Sequence, residues 1–295
     1  MRTAIVKIGQ ISVFPHLISC YKSTLKRAVI WTHSIINLLP LGRIASSQAL
    51  DAIWKRKFVI EIESHKIQFH VPNWLTYYRA KVFFQKEPET LSWIDSMPKG
   101  SVMWDIGANV GIYSVYAGKK NIEVVAIEPS SLNLDLLNRN IISNDLSELV
   151  TIIPFGVGRE TGIFDFFMSP LHYTWGGAHN SLAENVGFDG KEIVNPVKTK
   201  TLCYSLDELV KINNLPSPTH LKIDVDGLEL EVLLGGDKVL EKTESILIEI
   251  DKDFEKQRIG VKQLLEKSSF YLVYQTSDSL GTSNQIWSKL PRPSK

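Results

Sequence analysis

Two carboxylates stand where a parallel αβ unit would do chemistry. Asp105 closes the apolar run Val102-Met103-Trp104 and begins Asp105-Ile106-Gly107-Ala108-Asn109-Val110-Gly111. A helical pattern follows from Ile112 to Lys119. A second apolar run, Glu123 to Ile127, then ends in Glu128-Pro129. The order is strand, turn, helix, strand, the first unit of a parallel sheet. Gly107 suits a positive φ, and Gly111 suits close helix–strand packing. The helix N-terminus offers free N–H groups to the same crevice. Glu128 lies 21 positions after Gly107, near the roughly 20-residue spacing at which an acid meets ribose hydroxyls.

The turn departs from the dinucleotide fingerprint Gly-x-Gly-x-x-Gly. Asn109 and Ile112 occupy its second and third glycine positions. A pyrophosphate needs bare backbone there, and the charge of Asp105 would repel it. The pattern Asp-x-Gly-x-Asn-x-Gly therefore favours a cationic cofactor without phosphate. S-adenosylmethionine, with its sulfonium and ammonium groups, meets that description better than NAD.

A third block strengthens the reading: Leu221-Lys222-Ile223-Asp224-Val225-Asp226-Gly227-Leu228-Glu229. With Asp105–Gly111 and Glu128-Pro129, it makes the chain resemble the FkbM-type S-adenosylmethionine-dependent methyltransferases. Lys86-Glu87-Pro88-Glu89-Thr90 and Ser205-Leu206-Asp207 add weaker support, and the likeness covers roughly residues 75–290. The family usually has Glu where this chain has Asp226. The resemblance implies a class I methyltransferase fold: a Rossmann-like, mostly parallel sheet with an antiparallel closing strand, flanked by helices. It implies hydroxyl acceptors on sugars, glycolipids or natural products. It also implies that the region before the core sheet helps close over the cofactor, with Tyr77 and Tyr78 as candidates.

In an open parallel sheet, ligands bind outside the carboxyl ends of the strands. The expected cofactor residues are Asp105, Gly107, Ala108, Asn109, Gly111, Glu128, Pro129, Phe155, Gly156 and Asp224. Glu128 is assigned to the ribose, Asp105 to the turn and the amino-acid end, and Phe155 and Gly156 to the adenine. Methylating a hydroxyl also requires a base. The candidates are His172 and His179, with Lys222, Asp224 and Asp226 at the fourth strand; His179 is favoured because histidine titrates nearest neutral pH. No metal is expected, and the alternative is Mg²⁺ between Asp224 and Asp251.

The remaining elements must hold this rim. Phe58–Ile62 and Lys66–Val71 read as a hairpin around Ser64-His65, and Asn73 as the cap of the next helix. Ser130 or Ser131 should cap a helix through Asn144. Val150–Phe155, His220–Val225 and Ser245–Asp251 are the later parallel strands. Gly162–Met168 reads as an antiparallel excursion. Phe270–Gln275 and Gln285–Leu290 read as the closing pair, and the tail Pro291–Lys295 as mobile. Ser169–Gly190 has no steady period and is read as a substrate lid, with Gly176-Gly177 as its source of flexibility.

The 295 residues divide into an arm (1–56), pre-domain elements (57–99) and the catalytic domain (100–290). Residues 1–57 carry nine Lys/Arg against Asp51 alone, leaving 24 bases and 31 acids for the rest. A basic arm on an acidic body points to an anionic surface. Ala28–Leu39 reads either as a helix packed against the domain or as an interfacial helix that brings the arm into peripheral contact with a membrane. No span or signal peptide is expected. Cys20 and Cys203 make no disulfide framework, so the expected location is the cytoplasm. No basic-aromatic stripe argues for nucleic acid. The expected acceptor is a small or lipid-linked hydroxyl compound. An NAD-dependent oxidoreductase and a non-catalytic membrane-surface protein are the competing classes.

Overall fold

A computed structural model of the chain describes Thr24 and residues 27–62, 65–276 and 282–289. The hairpin turn at Ser64, the tail after Leu290 and the first part of the arm lie outside the described residues. The chain forms two compact units, Met1–Lys55 and Arg56–Lys295.

Within the first unit, helix α1 (residues 27–36) and helix α2 (Gly42–Trp54) are joined by a short turn.

The second unit opens with the antiparallel hairpin β1 (Lys57–Ile62) and β2 (His65–His70). Helix α3 (Trp74–Lys81) follows, and Asn73 caps it, its side chain accepting from the Thr76 N–H at 2.8 Å. Short α4 (Phe83–Lys86) leads to α5 (Pro88–Asp95), where Pro88 occupies the first helical position. That position has no N–H to lose.

The core sheet is β3 (Val102–Ile106), β4 (Glu123–Ile127), β5 (Val150–Ile153), β10 (His220–Ile223), β11 (Ser245–Asp251), β12 (Tyr271–Gln275) and β13 (Thr282–Ser288). Their spatial order is β12-β13-β11-β10-β3-β4-β5. The five strands from β11 to β5 run parallel, and β13 and β12 close the edge antiparallel. This is a Rossmann-like arrangement, mostly parallel with an antiparallel closing edge. Strand order reverses between β3 and β10, so the crevice for a ligand opens there.

Helices cover both faces, which is why these strands are apolar at successive positions. Met103, Val124 and Ala126 face α6 (Ile112–Lys119) and α7 (Ser131–Ser143) in one buried cluster. Trp104, Val125, Ile127 and Leu221 belong to the cluster on the other face.

A second sheet grows from the end of β5. Its strands are β6 (Gly156–Val157), β7 (Gly162–Met168), β8 (Asn180–Leu182) and β9 (Val197–Tyr204), in the order β6-β9-β7-β8. The antiparallel excursion is thus present. Strand β8 was not anticipated, because its three residues sit inside the segment read as aperiodic. Helices α8 (Leu206–Leu209), α9 (Glu229–Leu234), α10 (Asp237–Lys242) and α11 (Glu255–Lys267) complete the unit.

Candidate functional site

A cavity of about 540 Å³ opens beyond the ends of β3, β4 and β10. That volume lies within the range of small-molecule sites. Its walls come from the turn after β3, the start of α7, the loop after β10, and residues 178–182.

The turn after β3 is fixed by close approach. Gly107 has φ +84, and a Cβ there would lie 1.9 Å from the Asp224 carbonyl oxygen. Only glycine lets the two loops meet at the switch point. Gly107 and Asn109 line the cavity. Gly111 does not: a Cβ there would strike Leu137 Cδ1 at 2.3 Å, so this glycine seats α7. Ala108 is buried and borders a small recess beside the cavity.

Glu128 is buried on the cavity wall. Oε2 accepts from Asn109 N at 2.8 Å, and Oε1 accepts from Ser130 N at 2.9 Å. Ser130 stands at the N-cap of α7 but makes no cap bond with its hydroxyl; Glu128 sits beside that end, where the helix dipole favours an anion. Burial nonetheless raises its pKa to about 7, against the hydrogen bonds from Ser130 and Asn109. Pro129, Phe155 and Gly156 line the cavity beside it, and Phe155 lies 4.7 Å from the Tyr204 ring. A carboxylate beside a flat apolar wall fits the ribose and adenine of an adenosyl group.

Asp105 lies beneath the cavity, away from its walls. Oδ2 accepts from the Ser114 hydroxyl at 2.6 Å, and Oδ1 is 3.6 Å from Lys222 Nζ. Its expected place at the amino-acid end of a cofactor is not what this geometry offers. It holds α6 and a buried cation. Lys222 Nζ is also 3.0 Å from Asp224 Oδ2 and faces the Tyr113 ring at 5.1 Å. Burial opposes its charge, but Asp224, Asp105 and Glu87 outweigh that and hold its pKa above the ordinary lysine value. Lys222 is therefore a fixed cation and has no lone pair to act as a base.

Asp224 reaches the cavity. Burial works to raise its pKa, yet Lys222 and Lys86 hold it well below the usual carboxylate range. Its side chain hydrogen-bonds Glu249, which burial and the Asp224 charge push well above its ordinary value. The directions make Glu249 the protonated partner of an ionised Asp224. Glu249 on β11 was missed by sequence reasoning, which paired Asp224 with Asp251. Glu249 lines the cavity, whereas Asp251 Oδ1 accepts from Asp253 N at 2.8 Å. Among the described residues, no group of three His, Cys, Asp or Glu is placed to hold a metal.

The segment read as a lid is docked as a strap. The Gly177 carbonyl accepts from Asn109 Nδ2 at 2.7 Å and from Asn133 Nδ2 at 3.1 Å. Asn133 Oδ1 accepts from Gly176 N, and the Gly176 carbonyl accepts from Arg79 Nε at 2.9 Å. Asn73 binds Thr174 and Trp175, and Asp226 Oδ2 accepts from Asn180 N. Gly176 and Gly177 are not hinges. A Cβ on Gly177 would lie 1.8 Å from the His172 carbonyl, so glycine here permits tight packing.

His179 lines the cavity from this strap. Its ring lies 4.3 Å from His172 and 4.5 Å from Phe188. Burial, then the charge of Arg79, lowers its pKa, so the imidazole is neutral at neutral pH. Asp226, which holds the strap, has its pKa raised to about 6 by burial. Of the two tyrosines, Tyr78 lines the cavity, while Tyr77 packs on Phe58 at 5.4 Å.

The family model "Methyltransferase FkbM domain" matches residues 105–281. The hexuronic acid methyltransferase AglP of Haloferax volcanii is 26% identical over 192 residues, covering 65% of this chain and 73% of that protein. The methyltransferase sdnD of Sordaria araneosa is 28% identical over 170 residues, covering 49% of this chain and 64% of that protein. Among solved structures, magnesium protoporphyrin IX methyltransferase of Synechocystis PCC 6803 with bound SAM superposes with a TM-score of 0.44 at 8% identity. That superposition covers 74% of this chain and 85% of the other.

Proposed function

This chain belongs to the FkbM methyltransferase family, and we propose that it methylates a hydroxyl of an acidic sugar. Its cofactor is S-adenosylmethionine. When bound, that cofactor supplies an electrophilic methyl group with a neutral thioether as leaving group. Membership of the family displaces both the NAD-dependent reading and the non-catalytic one.

The cavity residues fit that cofactor. Glu128 would accept from the ribose hydroxyls, and Pro129, Phe155 and Gly156 would flank the adenine. Gly107 and Asn109 would bring backbone close to the remainder. The strap forms part of the cavity wall, where it would limit access of water to the reacting centre. Holding the acceptor oxygen in line can itself contribute about 7–11 kcal/mol. His179, neutral and on the cavity wall, would take the proton of the acceptor hydroxyl.

The observation that carries the acidic-sugar reading is Arg79. It lines the cavity, its Nε is spent on the Gly176 carbonyl, and no carboxylate lies within ion-pair distance of it among the described residues. Its charge is felt by Asp226, whose own carboxyl is held by the strap. A guanidinium in such a place suits a planar carboxylate on the incoming acceptor. The name of the Haloferax relative points to the same acceptor class.

The test is methyl transfer from labelled S-adenosylmethionine to glucuronate-containing and matched neutral oligosaccharides. The expected result is transfer to the uronate, as an alkali-stable ether. Arg79→Met should reduce the preference for the uronate over the neutral sugar, a ratio that cancels any loss of S-adenosylhomocysteine affinity from the broken Gly176 bond, which calorimetry reads separately. Equal transfer to neutral sugars would overturn the acidic acceptor, and an alkali-labile ester would overturn the hydroxyl.

A further inference from the structure

The helical hairpin of the first unit has its chemistry inside out for a protein in water. Where α1 and α2 meet, the groove is lined by Ala28, Val29, Thr32, His33 and Ile36 on one side and by the small residues Ala45, Ser46 and Ala49 on the other. Gly42 allows the tight turn, since a Cβ there would lie 1.6 Å from the Ile36 carbonyl oxygen. Most of the bulky apolar side chains of α1 and the turn are exposed. Trp31 is 73% exposed, and Val29, Ile30 and Ile35 are exposed beside it. At the turn, Leu38 is 84% exposed and Leu41 76%, with Leu39 also exposed. Water favours the opposite arrangement. Small residues at the helix contact and large apolar ones outside are what helices in lipid adopt.

The polar side chains of α1 point the same way. Thr32 Oγ1 donates to the Ala28 carbonyl at 2.8 Å, and Ser34 Oγ donates to the Ile30 carbonyl at 2.9 Å. Asn37 Nδ2 lies 3.2 Å from His33 Nδ1. Each is satisfied within its own helix and turn. A polar group in hydrocarbon requires that, and one in water does not.

Charge is segregated along the hairpin. Lys22, Lys26 and Arg27 precede or begin α1, and Lys55, Arg56 and Lys57 follow α2. Both groups fall at the open end in sequence, although Lys22 and Lys26 lie outside the described residues. Residues 28–42 carry no Lys, Arg, Asp or Glu. The one acid, Asp51, is bound to Lys55 at 2.6 Å. Arg43, one residue into α2, is the exception near the tip, and its long stem can carry the guanidinium back along the helix. The ten residues of α1 span about 15 Å, roughly half of a 30 Å hydrocarbon core. No helix among the described residues is long and apolar enough to cross.

We propose that this hairpin is a monotopic anchor that enters one leaflet of an anionic bilayer tip first, through Leu38, Leu39 and Leu41. Arg27 and Lys55, at the open end of the hairpin, then lie at the headgroups. The insertion rests on the first unit alone and is independent of the proposed reaction.

The test is flotation of the full chain with vesicles of equal parts phosphatidylglycerol and phosphatidylcholine. The chain should float at low salt and stay bound at high salt, because burial of apolar side chains is not screened. The combined variant Leu38→Ser, Leu39→Ser, Leu41→Ser should lose about tenfold or more of the salt-resistant binding. Its thermal unfolding should match that of the parent. Brominated lipid should quench the parent and spare much of that loss in Trp31→Phe. Absence of flotation, or salt-resistant flotation of the triple variant, would overturn the anchor. A parent chain that does not float but sediments as a dimer, with a monomeric triple variant, would replace it by an interface between copies.

Discussion

Asn109 and Gly177 are joined across 68 residues by one hydrogen bond of 2.7 Å, from side-chain Nδ2 to carbonyl oxygen. The bond ties the turn after β3 to the strap that walls the cavity. Asn133 adds a second donor to the same carbonyl at 3.1 Å and accepts from Gly176 N.

Asn133→Ala should therefore loosen the strap. Unpaired buried groups cost about 1–3 kcal/mol. Affinity for S-adenosylhomocysteine should fall about tenfold, and protease cleavage within residues 169–190 should quicken. Calorimetry and limited proteolysis together check this. Unchanged cleavage would mean that the strap is held elsewhere.

Removing the buried cation should be costly. Lys222→Met leaves Asp105 and Asp224 without their partner, and breaking such a pair typically costs about 3–5 kcal/mol. The double variant with Asp105→Asn should recover part of that loss, as a double-mutant cycle in denaturant would read. Additive losses would show that Lys222 and Asp105 are not coupled.

The raised pKa of Glu128 predicts a pH signature in the protein without cofactor. A carboxyl whose folded pKa is about 7 rather than 4.5 binds more protons folded than unfolded between those values. Its contribution is fully present below the unfolded pKa and is lost as pH rises to about 7. His220, held down to about 4 by burial, works oppositely from about 4 to its ordinary 6.5. A difference measurement cancels that opposition. The stability of Glu128→Gln relative to the parent should rise by on the order of 2–3 kcal/mol from pH 4.5 to 7 and then level off. A flat difference in melting experiments would sink the assignment.

If His179 is the base, His179→Ala should lower turnover about 10²-fold or more with S-adenosylhomocysteine affinity nearly intact. Because its pKa is lowered, the acid limb of the parent pH–rate profile should lie below the ordinary histidine value of 6.5. An unchanged turnover in the variant would move the base to the Asp224–Glu249 pair.

The frame was legible because its signals are local. Val102–Ile106 and Glu123–Ile127 are short apolar runs around a glycine turn, and they became neighbouring strands in register Val102↔Glu123. Asn73 was readable as a cap for the same reason. Long-range contacts were not readable. Nothing near Asn133 in sequence says that it will hold Gly176 and Gly177. Glu249 and Asp251 share a strand face, two residues apart, and only the height of β11 against β10 decides which one meets Asp224. Lys222 between Leu221 and Ile223 gave no sign that three acids would hold it charged. Gly176-Gly177 looked like a hinge because composition cannot separate a glycine chosen for freedom from one chosen for lack of room.

Glu128 belongs to the same circuit as the strap. Its Oε2 accepts from Asn109 N and its Oε1 faces Asn133 Nδ2 at 3.4 Å, and both asparagines hold Gly177. A ligand hydroxyl that engages Glu128 therefore competes with, or tightens, the donors that keep the strap in place. Occupancy at the nucleoside end is written into the shape of the acceptor end. The expected consequence is an ordered turnover, with cofactor entering first, acceptor second, and the demethylated nucleoside leaving last. Initial-rate patterns with S-adenosylhomocysteine as inhibitor would carry that order as competition against the cofactor alone.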